Sequence, residues 1–520
     1  MKADNMIKKV EFRCTPEEAK DSLYLKGRIK KELNLSNEIF NFKWSRRSID
    51  ARRKKIKFNC VFDVNINGSG FERKKTFFPK NVSNSKSIGI IGAGPAGLFA
   101  ALRALELGLK PIIYERGKDV RSRRRDLAVL NKKFIVNTES NYCFGEGGAG
   151  TYSDGKLYTR SIKRGDVRRV LSWFVHFGAD EDILVDTHPH IGTNKLPQII
   201  IAIREMIIRH GGEVHFESKV TDIFEKKSRV FGLEINNSKI VKFDHIILAT
   251  GHSARDIFYL FFKKKWLIES KSFAIGVRIE HSQNLIDKIQ YNGRLNDDFI
   301  PPASYNLVSQ IDGRGVYSFC MCPGGIIAPC ATSQEEVVTN GWSPSKRNNK
   351  YSNSGIVVSI SPDDFKQTKK NPFVCLDFQK NIEYLCWLYA GETQKVPAQR
   401  LIDFLESKVS KNISKTSYQP GVKSVDLNIL LPEIISKNLK DAFILFGSKM
   451  KGFMTNDAVL HAPESRTSSP IKIPRNEFLQ HPDICGLFPC SEGSGYAGGI
   501  ISAAIDGIKC VEQIKVELES

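Results

Sequence analysis

The sequence predicts an α/β protein in which a small α+β domain precedes a parallel-sheet domain, and a second mixed domain interrupts that sheet. Three observations predict this arrangement. The first 85 residues follow a strand–helix–strand–strand pattern, and residues 87–115 follow a strand–turn–helix–strand pattern. Glycine-punctuated apolar sequence returns at 484–512, after a long stretch without the βαβ rhythm. Such an interruption is typical of a domain inserted into an α/β domain.

The N-terminal segment, residues 1–85, is expected to form a small basic α+β domain. Residues 6–13 are strand-like, and Thr15-Pro-Glu-Glu18 is typical of a helix start, with a capping Thr, Pro in the first turn and acids behind it. Further strand-like runs follow at 39–45 and 56–65.

Positive charge is concentrated in this segment. The whole chain has a formal charge of +21, and residues 1–86 contain 22 Lys and Arg against 10 Asp and Glu. The densest run is 46–57. A basic patch can bind nucleic acid, anionic lipid or an acidic partner, but a solvated lysine-rich face explains the charge equally simply. Nucleic-acid binding through residues 1–85 is therefore an alternative, not the favoured interpretation.

Other bulk features indicate a cytoplasmic protein. The 11 cysteines are scattered and odd in number, as expected of reduced thiols and not of a disulfide framework. No apolar run reaches the roughly 18–20 residues that span a bilayer, and the N-terminal residues do not resemble a secretory signal. No cysteine spacing predicts a metal site. The oligomeric state stays open.

The strongest motif is the glycine turn Gly92-Ala-Gly-Pro-Ala-Gly97, between an apolar strand at 87–91 and an Ala- and Leu-rich helix. Gly92 permits a tight turn, Gly94 lets the backbone approach a pyrophosphate, and Gly97 lets the helix pack on the sheet. Glu115 ends the next strand, where an acid accepts hydrogen bonds from a ribose. This is a Rossmann-type dinucleotide site, and it does not choose between FAD and NAD.

The rest of this half is expected to be mixed. Helices are predicted at 166–177 and 195–210, and strands at 213–217, 219–225, 230–235 and 244–249.

Three further stretches resemble the FAD motifs of glutathione-reductase-type flavoproteins: 144–150, 244–251 and 486–500. The last resembles the C-terminal FAD motif, in which a helix N-terminus stabilises the negative charge of reduced flavin, and Glu492 would contact ribityl hydroxyls. Together with the glycine turn, the resemblance assigns FAD binding to Gly92, Gly94, Pro95, Ala96, Gly97, Glu115, Arg116, Gly147, Gly148, Val220, Thr250, Gly251, Glu492, Gly493, Gly498, Gly499 and Ile500.

A closer resemblance covers nearly the whole chain. Residues 48–52, 273–281, 318–325 and 464–470 are similar to a widespread bacterial family of FAD-dependent, or NAD(FAD)-utilising, dehydrogenases. The resemblance implies a glutathione-reductase-like FAD-binding domain with an inserted substrate domain. The expected boundaries are 86–271 for the first part of the FAD domain, 272–440 for the substrate domain and 441–520 for the C-terminal part of the FAD domain.

Five residues are candidates for catalysis. Cys320 and Cys322 would share one face of a strand at 316–322, as redox-active thiols, flavin contacts or core residues, and a disulfide between them in a regular strand would be strained. Arg278 and Glu280 would share a face, either toward substrate or in an internal ion pair. His252 follows Thr250-Gly251 and would lie near the cofactor or cap a helix.

The sequence thus predicts an FAD-dependent oxidoreductase that transfers hydride or electrons through the flavin to or from an unidentified small molecule. No separate NAD(P)H domain is evident, so NAD(P)H is expected only as a transient reductant, and the alternative is that a substrate reduces the flavin directly. Two other functions stay open: an RNA-interacting flavoprotein of the tRNA-modification type that uses residues 1–85, and a protein whose flavin is structural.

Overall fold

The computed structural model describes residues 6–36, 38–53, 55–67, 70–71, 76–159, 165–293, 299–366 and 371–520. The N-terminal domain has the predicted strand–helix–strand–strand order, with its helix divided in two. Its elements are β1 (Met6–Cys14), α1 (Pro16–Lys20), α2 (Ser22–Glu32), β2 (Phe40–Asp50) and β3 (Lys57–Ile66). The strands form an antiparallel sheet in the order β1-β3-β2. Lys54, in the basic run, lies outside the described residues.

Local capping explains the division of the helix. The Thr15 side chain and the Glu18 side chain form a reciprocal capping box at the start of α1, as the sequence pattern predicts. Asp21 then caps a second helix, because its carboxylate accepts hydrogen bonds from the backbone N–H groups of Leu23 and Tyr24.

Strand β2 attaches this domain to the rest of the chain. The Arg47 guanidinium donates to Asp186 at 2.8 Å and to Asp182 at 2.9 Å. The Arg47 backbone also donates to the Val185 carbonyl and accepts from the Thr187 N–H. Arg47, which belongs to the basic run at 46–57, therefore forms ion pairs within the molecule.

The next unit contains the predicted βαβ element and extends it. Its elements are β4 (Ser87–Ile91), α3 (Pro95–Leu107), β5 (Lys110–Tyr114), α4 (Val120–Lys133), α5 (Val167–His176), α6 (Leu196–Arg209), β6 (Glu213–His215), β7 (Val220–Lys226), β8 (Arg229–Ile235), β9 (Lys239–Lys242), β10 (Ile246–Leu248) and α7 (Arg255–Lys263). The helices and strands predicted between 166 and 249 are confirmed. Strands β7, β8 and β9 form their own antiparallel sheet.

A second large unit follows. Its elements are β11 (Glu269–Ser270), β12 (Phe273–Ser282), α8 (Gln283–Gln290), β13 (Val308–Ile311), β14 (Arg314–Cys322), β15 (Ile326–Pro329), β16 (Thr339–Trp342), β17 (Tyr351–Ile360), α9 (Val374–Tyr389), β18 (Val396–Arg400), α10 (Leu401–Leu405), β19 (Val422–Ser424), α11 (Leu427–Leu430), α12 (Glu433–Lys449) and β20 (Val459–Glu464). Seven strands form one mixed sheet in the order β13-β14-β17-β12-β20-β18-β19.

The boundary expected at residue 440 is wrong. Residue 440 lies inside α12, and β20 pairs with β12 and β18 inside the seven-stranded sheet. The chain leaves this unit only at β21 (Ile471–Lys472), which pairs antiparallel with β11. The strands that lead into and out of the second unit therefore lie side by side.

The last segment completes the first sheet. Strand β22 (Leu487–Pro489) pairs with β10, which gives a parallel sheet in the order β22-β10-β4-β5-β6. Helix α13 (Ile500–Glu519) packs against α3, and a Cβ at Gly507 would lie 2.1 Å from the Ala96 carbonyl oxygen. Only a glycine lets the two helices approach this closely. Among the described residues, no helix combines the length and apolar character that crossing a bilayer requires.

Candidate cofactor and substrate site

The glycine turn between β4 and α3 has the geometry that its motif predicts. Gly92 has φ of +103°. A Cβ on Gly97 would lie 2.0 Å from the Gly92 carbonyl oxygen, so no larger residue is compatible with this packing. Helix α3 begins at Pro95, and no side chain caps its N-terminus. Its first N–H groups are therefore free of side-chain acceptors where the turn faces a cavity.

This cavity, of about 390 Å³, lies where the carboxyl ends of the parallel strands meet the second unit. The first unit and the C-terminal segment line most of it. The second unit contributes Phe319, Cys320, Cys330, Val338, Thr339, Asn340 and Glu464. Ligands of open α/β sheets bind at the carboxyl ends of the strands.

A second helix N-terminus faces the same cavity. Helix α13 begins at Ile500, after Gly498 and Gly499, and no side chain caps it. A Cβ built at Gly94, Gly251, Gly498 or Gly499 would meet no atom within 4 Å. Since helix N-termini attract anions and glycines expose backbone N–H groups, these residues fit a long ligand with a pyrophosphate at its centre.

Glu115 connects the glycine turn to the next loop. Its buried carboxylate accepts hydrogen bonds from the N–H groups of Ala93 at 2.8 Å, Gly117 at 3.0 Å and Gly145 at 2.9 Å. A carboxylate offers about four acceptor positions, so one is left for a ribose hydroxyl on the cavity side.

The other residues assigned to FAD fall into two groups. Most of them line the cavity: Gly92, Gly94, Pro95, Ala96, Glu115, Arg116, Gly148, Val220, Thr250, Gly251, Glu492, Gly498, Gly499 and Ile500. Gly97, Gly147 and Gly493 do not line it and instead permit close packing. A Cβ on Gly493 would lie 2.2 Å from the Thr250 carbonyl oxygen.

His252 and Glu492 face each other in the cavity wall. The His252 Nε2 atom lies 3.9 Å from the Glu492 carboxylate. Burial lowers the pKa of His252 to about 3, with further lowering by Arg466 and Arg255. Burial raises the pKa of Glu492. A neutral imidazole therefore stands beside an acid that holds its proton more tightly than usual.

The candidate roles of Arg278 and Glu280 in touching a substrate are not supported by the geometry, because neither side chain lines the cavity. Arg278 is fully buried and forms a bidentate ion pair with Glu464, at 2.7 and 2.8 Å. Glu280 accepts hydrogen bonds from the backbone N–H and the hydroxyl of Ser417. The neighbours of both residues come from distant parts of the chain, so the strand pattern alone does not identify them.

Cys320 lines the cavity, and Cys322 is buried behind it. Their Sγ atoms are 3.9 Å apart. Lys156 also lines the cavity, and its Nζ atom lies 3.8 Å from the Cys320 sulfur and 3.5 Å from the Cys322 sulfur.

Three family models match parts of the chain. Residues 86–260 match the pyridine nucleotide-disulphide oxidoreductase domain, and residues 272–467 match the "FAD-dependent protein, C-terminal domain-like" model. Residues 6–65 match a domain of unknown function (DUF8436). An "Uncharacterized protein" of Clostridium beijerinckii is 39% identical over 516 residues, which cover 94% of this chain and 95% of that protein.

The chain belongs to the family of this clostridial protein. The matched domains make it a flavoprotein of the FAD-dependent oxidoreductase type with a Rossmann-type FAD-binding domain. The C-terminal domain-like model, which covers residues 272–467, begins just after β11 and ends just before β21. These are the strands through which the chain enters and leaves the second unit.

Solved structures are more distant. A geranylgeranyl bacteriochlorophyll reductase-like protein from Thermoplasma acidophilum is 14% identical, with 84% of this chain and 79% of that chain covered and a TM-score of 0.35. The flavin-dependent brominase Bmp2 is 13% identical, with 83% and 79% covered and the same TM-score of 0.35. We draw no conclusion from similarities at this level.

Two residues that shape this cavity, Arg123 and Lys156, were not among the predicted site residues. Arg123 is fully buried and donates to the carbonyls of Asn141, Tyr142 and Glu146, at 2.7 to 2.9 Å, so it fixes the glycine loop after α4. Arg123 lies on the buried face of α4 with Val120, Leu127 and Leu130, and this helical spacing was the one available signal. Lys156 lies in irregular sequence without a known motif, so no local signal marks it.

Arg466 forms the cavity wall on the side of the second unit. It donates to Glu336 at 2.6 Å and to Glu383 at 3.1 Å, and both acids also pair with Arg255. Since Arg255 belongs to α7 and Glu383 to α9, this buried charge network joins the two units directly behind the cavity.

Proposed function

We propose that this protein is an oxidoreductase that holds FAD along the glycine turn and exchanges hydride between the flavin and a small molecule in the same cavity. One observation carries the proposal. A single cavity is lined on one side by two uncapped helix N-termini and on the other by side chains of the second unit. FAD would thus contact one wall of the cavity, and the substrate would contact the opposite wall.

Binding of FAD would use residues from both ends of the FAD domain. The N-termini of α3 and α13 would receive the negative charge of the pyrophosphate and of the reduced ring. Glu115 would accept from the adenosine ribose, and Glu492 from the ribityl chain. Arg116 is fixed for this purpose by its ion pair with Asp256 and by its position 4.6 Å over the Phe144 ring.

The FAD would supply the hydride chemistry, and the chain's own residues would orient the substrate and handle protons. His252 stays neutral at physiological pH, so it can donate or accept a hydrogen bond without adding charge. Glu492, whose pKa burial raises, can hold a proton beside it. Thr339 and Asn340, on β16, offer polar groups from the substrate side.

We also propose an electron donor. Residues 86–260 match the pyridine nucleotide-disulphide oxidoreductase domain, and the sequence shows no second glycine turn comparable to 92–97. These two findings support NAD(P)H as a reductant that docks transiently over the flavin.

The test begins with the purified full chain. The proposal predicts bound FAD with its visible absorbance, and loss of this absorbance when NADH or NADPH is added without oxygen. If dithionite removes the absorbance but NADH and NADPH do not, the protein binds a redox-active flavin and NAD(P)H is not its electron donor. A protein that cannot be reconstituted with FAD, or whose bound flavin resists dithionite, would refute the proposed function.

The nucleic-acid alternative gains no support from the contacts of the basic run. Arg47 pairs with Asp182 and Asp186, and Arg52 pairs with Asp50 at 2.7 Å. Each of these guanidinium groups already has a carboxylate partner, which reduces the charge available to a phosphate backbone.

A further inference from the structure

The two thiols at the end of β14 are brought together by an irregularity in the strand. Cys320 has φ of +45°, and the pairing of β14 with β17 shifts register between Phe319 and Cys322. In a regular strand, a disulfide between residues two apart would be strained. The bulge changes the direction of the chain at Cys320 and brings its sulfur to 3.9 Å from the Cys322 sulfur.

The pair is asymmetric with respect to the cavity. Cys320 lines the cavity, whereas Cys322 lies behind it, fully buried. The Cys322 thiol also lies 3.3 Å from the Cys320 carbonyl oxygen. The Cys320 side chain therefore lines the cofactor space, whereas the Cys322 sulfur is buried behind it between Cys320 and Lys156.

A fixed positive charge lies beside both sulfurs. The Lys156 ammonium is held 3.2 Å from Asp154, and Arg347 donates to the same carboxylate at 2.9 Å. The hydrogen bond with Cys322 is the largest cause that lowers the pKa of Cys320, and Lys156 and Arg278 lower it further. The hydrogen bond with Cys320 raises the pKa of Cys322, and burial raises it further. This is the arrangement of a reactive thiolate beside a protonated thiol.

We propose that Cys320 and Cys322 are a redox-active pair that exchanges two electrons with FAD by switching between a dithiol and a disulfide. The proposal rests on the proposed function, since it requires FAD in this cavity. It adds a second redox group, and it places Cys320 among the catalytic residues.

The exchange balances in both directions. When the Cys320–Cys322 bond forms, the Cys320 thiolate and the Cys322 thiol together lose two electrons and one proton. FAD bound in this cavity would supply the acceptor for both electrons and the proton. In reverse, reduced FAD would supply two electrons and a proton, the sulfur–sulfur bond would break, and Cys320 would leave as the thiolate. Lys156 stabilises this thiolate and is a positioning residue.

The first experiment counts electrons in the FAD-loaded full chain. After mild oxidation with diamide and removal of the oxidant, the protein is titrated with dithionite without oxygen. The wild type is expected to take up about four electrons per FAD, because flavin and disulfide each accept two. Cys320→Ser and Cys322→Ser should take up about two. Cys485→Ser, which changes an exposed thiol outside the cavity, should behave as the wild type.

A second measurement does not depend on FAD. The diamide-treated protein is denatured, alkylated with iodoacetamide and digested, and the peptide that contains both cysteines is weighed. A tryptic peptide with both cysteines also contains Cys330, because no Lys or Arg lies between Arg314 and Lys346. The proposal therefore predicts a peptide that carries one alkyl group, on Cys330, and is lighter by two hydrogen atoms than the same peptide with Cys320 and Cys322 as free thiols. Alkylation of both Cys320 and Cys322 after oxidation, or an uptake of about two electrons by the wild type, would overturn the pair. Lack of FAD with a formed disulfide would instead refute the proposed function.

The role of Lys156 is tested by the pH profile of alkylation in the native reduced protein. The charged groups that face Cys320 are Lys156, Asp154, Arg278 and Glu464. Lys156→Gln should move the profile to higher pH and slow alkylation of Cys320 roughly tenfold at neutral pH, while Lys156→Arg restores it. An unchanged profile in Lys156→Gln would remove this residue from the mechanism.

Discussion

Replacement of Gly94 by alanine separates cofactor binding from folding. Gly94 precedes α3 with φ of −75°, which alanine adopts without strain, and its Cβ would meet no protein atom within 4 Å. The apoprotein should lose only about 0.5–1 kcal/mol of unfolding free energy, since alanine is a poorer N-cap than glycine. The new methyl group would project into the space where we place the pyrophosphate.

The expected loss of affinity follows from the backbone N–H groups at this turn. Hydrogen bonds to a charged group contribute about 1.5–3 kcal/mol each. Loss of two of them weakens FAD binding by about 3–6 kcal/mol, or roughly a hundredfold to ten-thousandfold in Kd. The assay is fluorescence titration of apoprotein with FAD, with thermal unfolding measured in parallel.

Two other glycines serve as controls. Gly97→Ala places a Cβ 2.0 Å from a backbone oxygen and should prevent normal folding, not binding alone. Gly27→Ala lies on the exposed face of α2, remote from the cavity, and should stabilise the protein by about 0.5–1 kcal/mol without changing the Kd. A Gly94→Ala protein that binds FAD within threefold of the wild type would refute the placement of the pyrophosphate.

Three further predictions concern buried charges. Arg123→Leu removes the donor of the Asn141 and Tyr142 carbonyls and one of the two donors of the Glu146 carbonyl, and it should lower the unfolding free energy by about 3 kcal/mol or more in urea titrations. An unchanged midpoint would contradict its role. Glu115→Gln presents an amide NH2 group to N–H donors and should therefore reduce both thermal stability and FAD affinity. If neither quantity changes, the Glu115 carboxylate does not hold the glycine turn and the ribose as we propose. Burial raises the pKa of Glu280 to about 7, so the folded state binds its proton more tightly than the unfolded state. The wild type should therefore lose stability as pH rises from about 4.5 to 7, and this slope should be reduced in Glu280→Gln, whose amide can still bond both groups of Ser417. Equal slopes for the two proteins in urea unfolding at several pH values would show that Glu280 does not titrate in this range.

The sequence predicted best those features that depend on residues close together in the chain. The glycine turn, the cap at Thr15 and the strands up to residue 249 depend on neighbours within a few residues, and all of them are confirmed. The C-terminal boundary of the second unit was wrong because β20 pairs with β12, a strand about 180 residues earlier. No local pattern distinguishes a strand that joins one sheet from a strand that joins another.

The candidate site shows the same division. Most of the predicted FAD residues line one cavity because the motif fixes their backbone. The partners of Arg278 and Glu280 could not be foreseen, since Glu464 and Ser417 are reached only through tertiary pairing. The convergence of Cys320 and Cys322 also depends on a bulge, which the alternation of side chains along a strand does not predict.

The late position of β22 and α13 in the chain affects synthesis of the protein. Strand β22 covers one edge of β10, and α13 covers the face of α3 under Gly507. Between α7 and β22 the ribosome must add residues 264–486, which takes about 10–45 s at roughly 5–20 residues per second. Throughout that interval the nascent chain exposes an unfinished sheet and an apolar helix face. The second unit thus sets a waiting time before the parallel sheet of the first half can be completed.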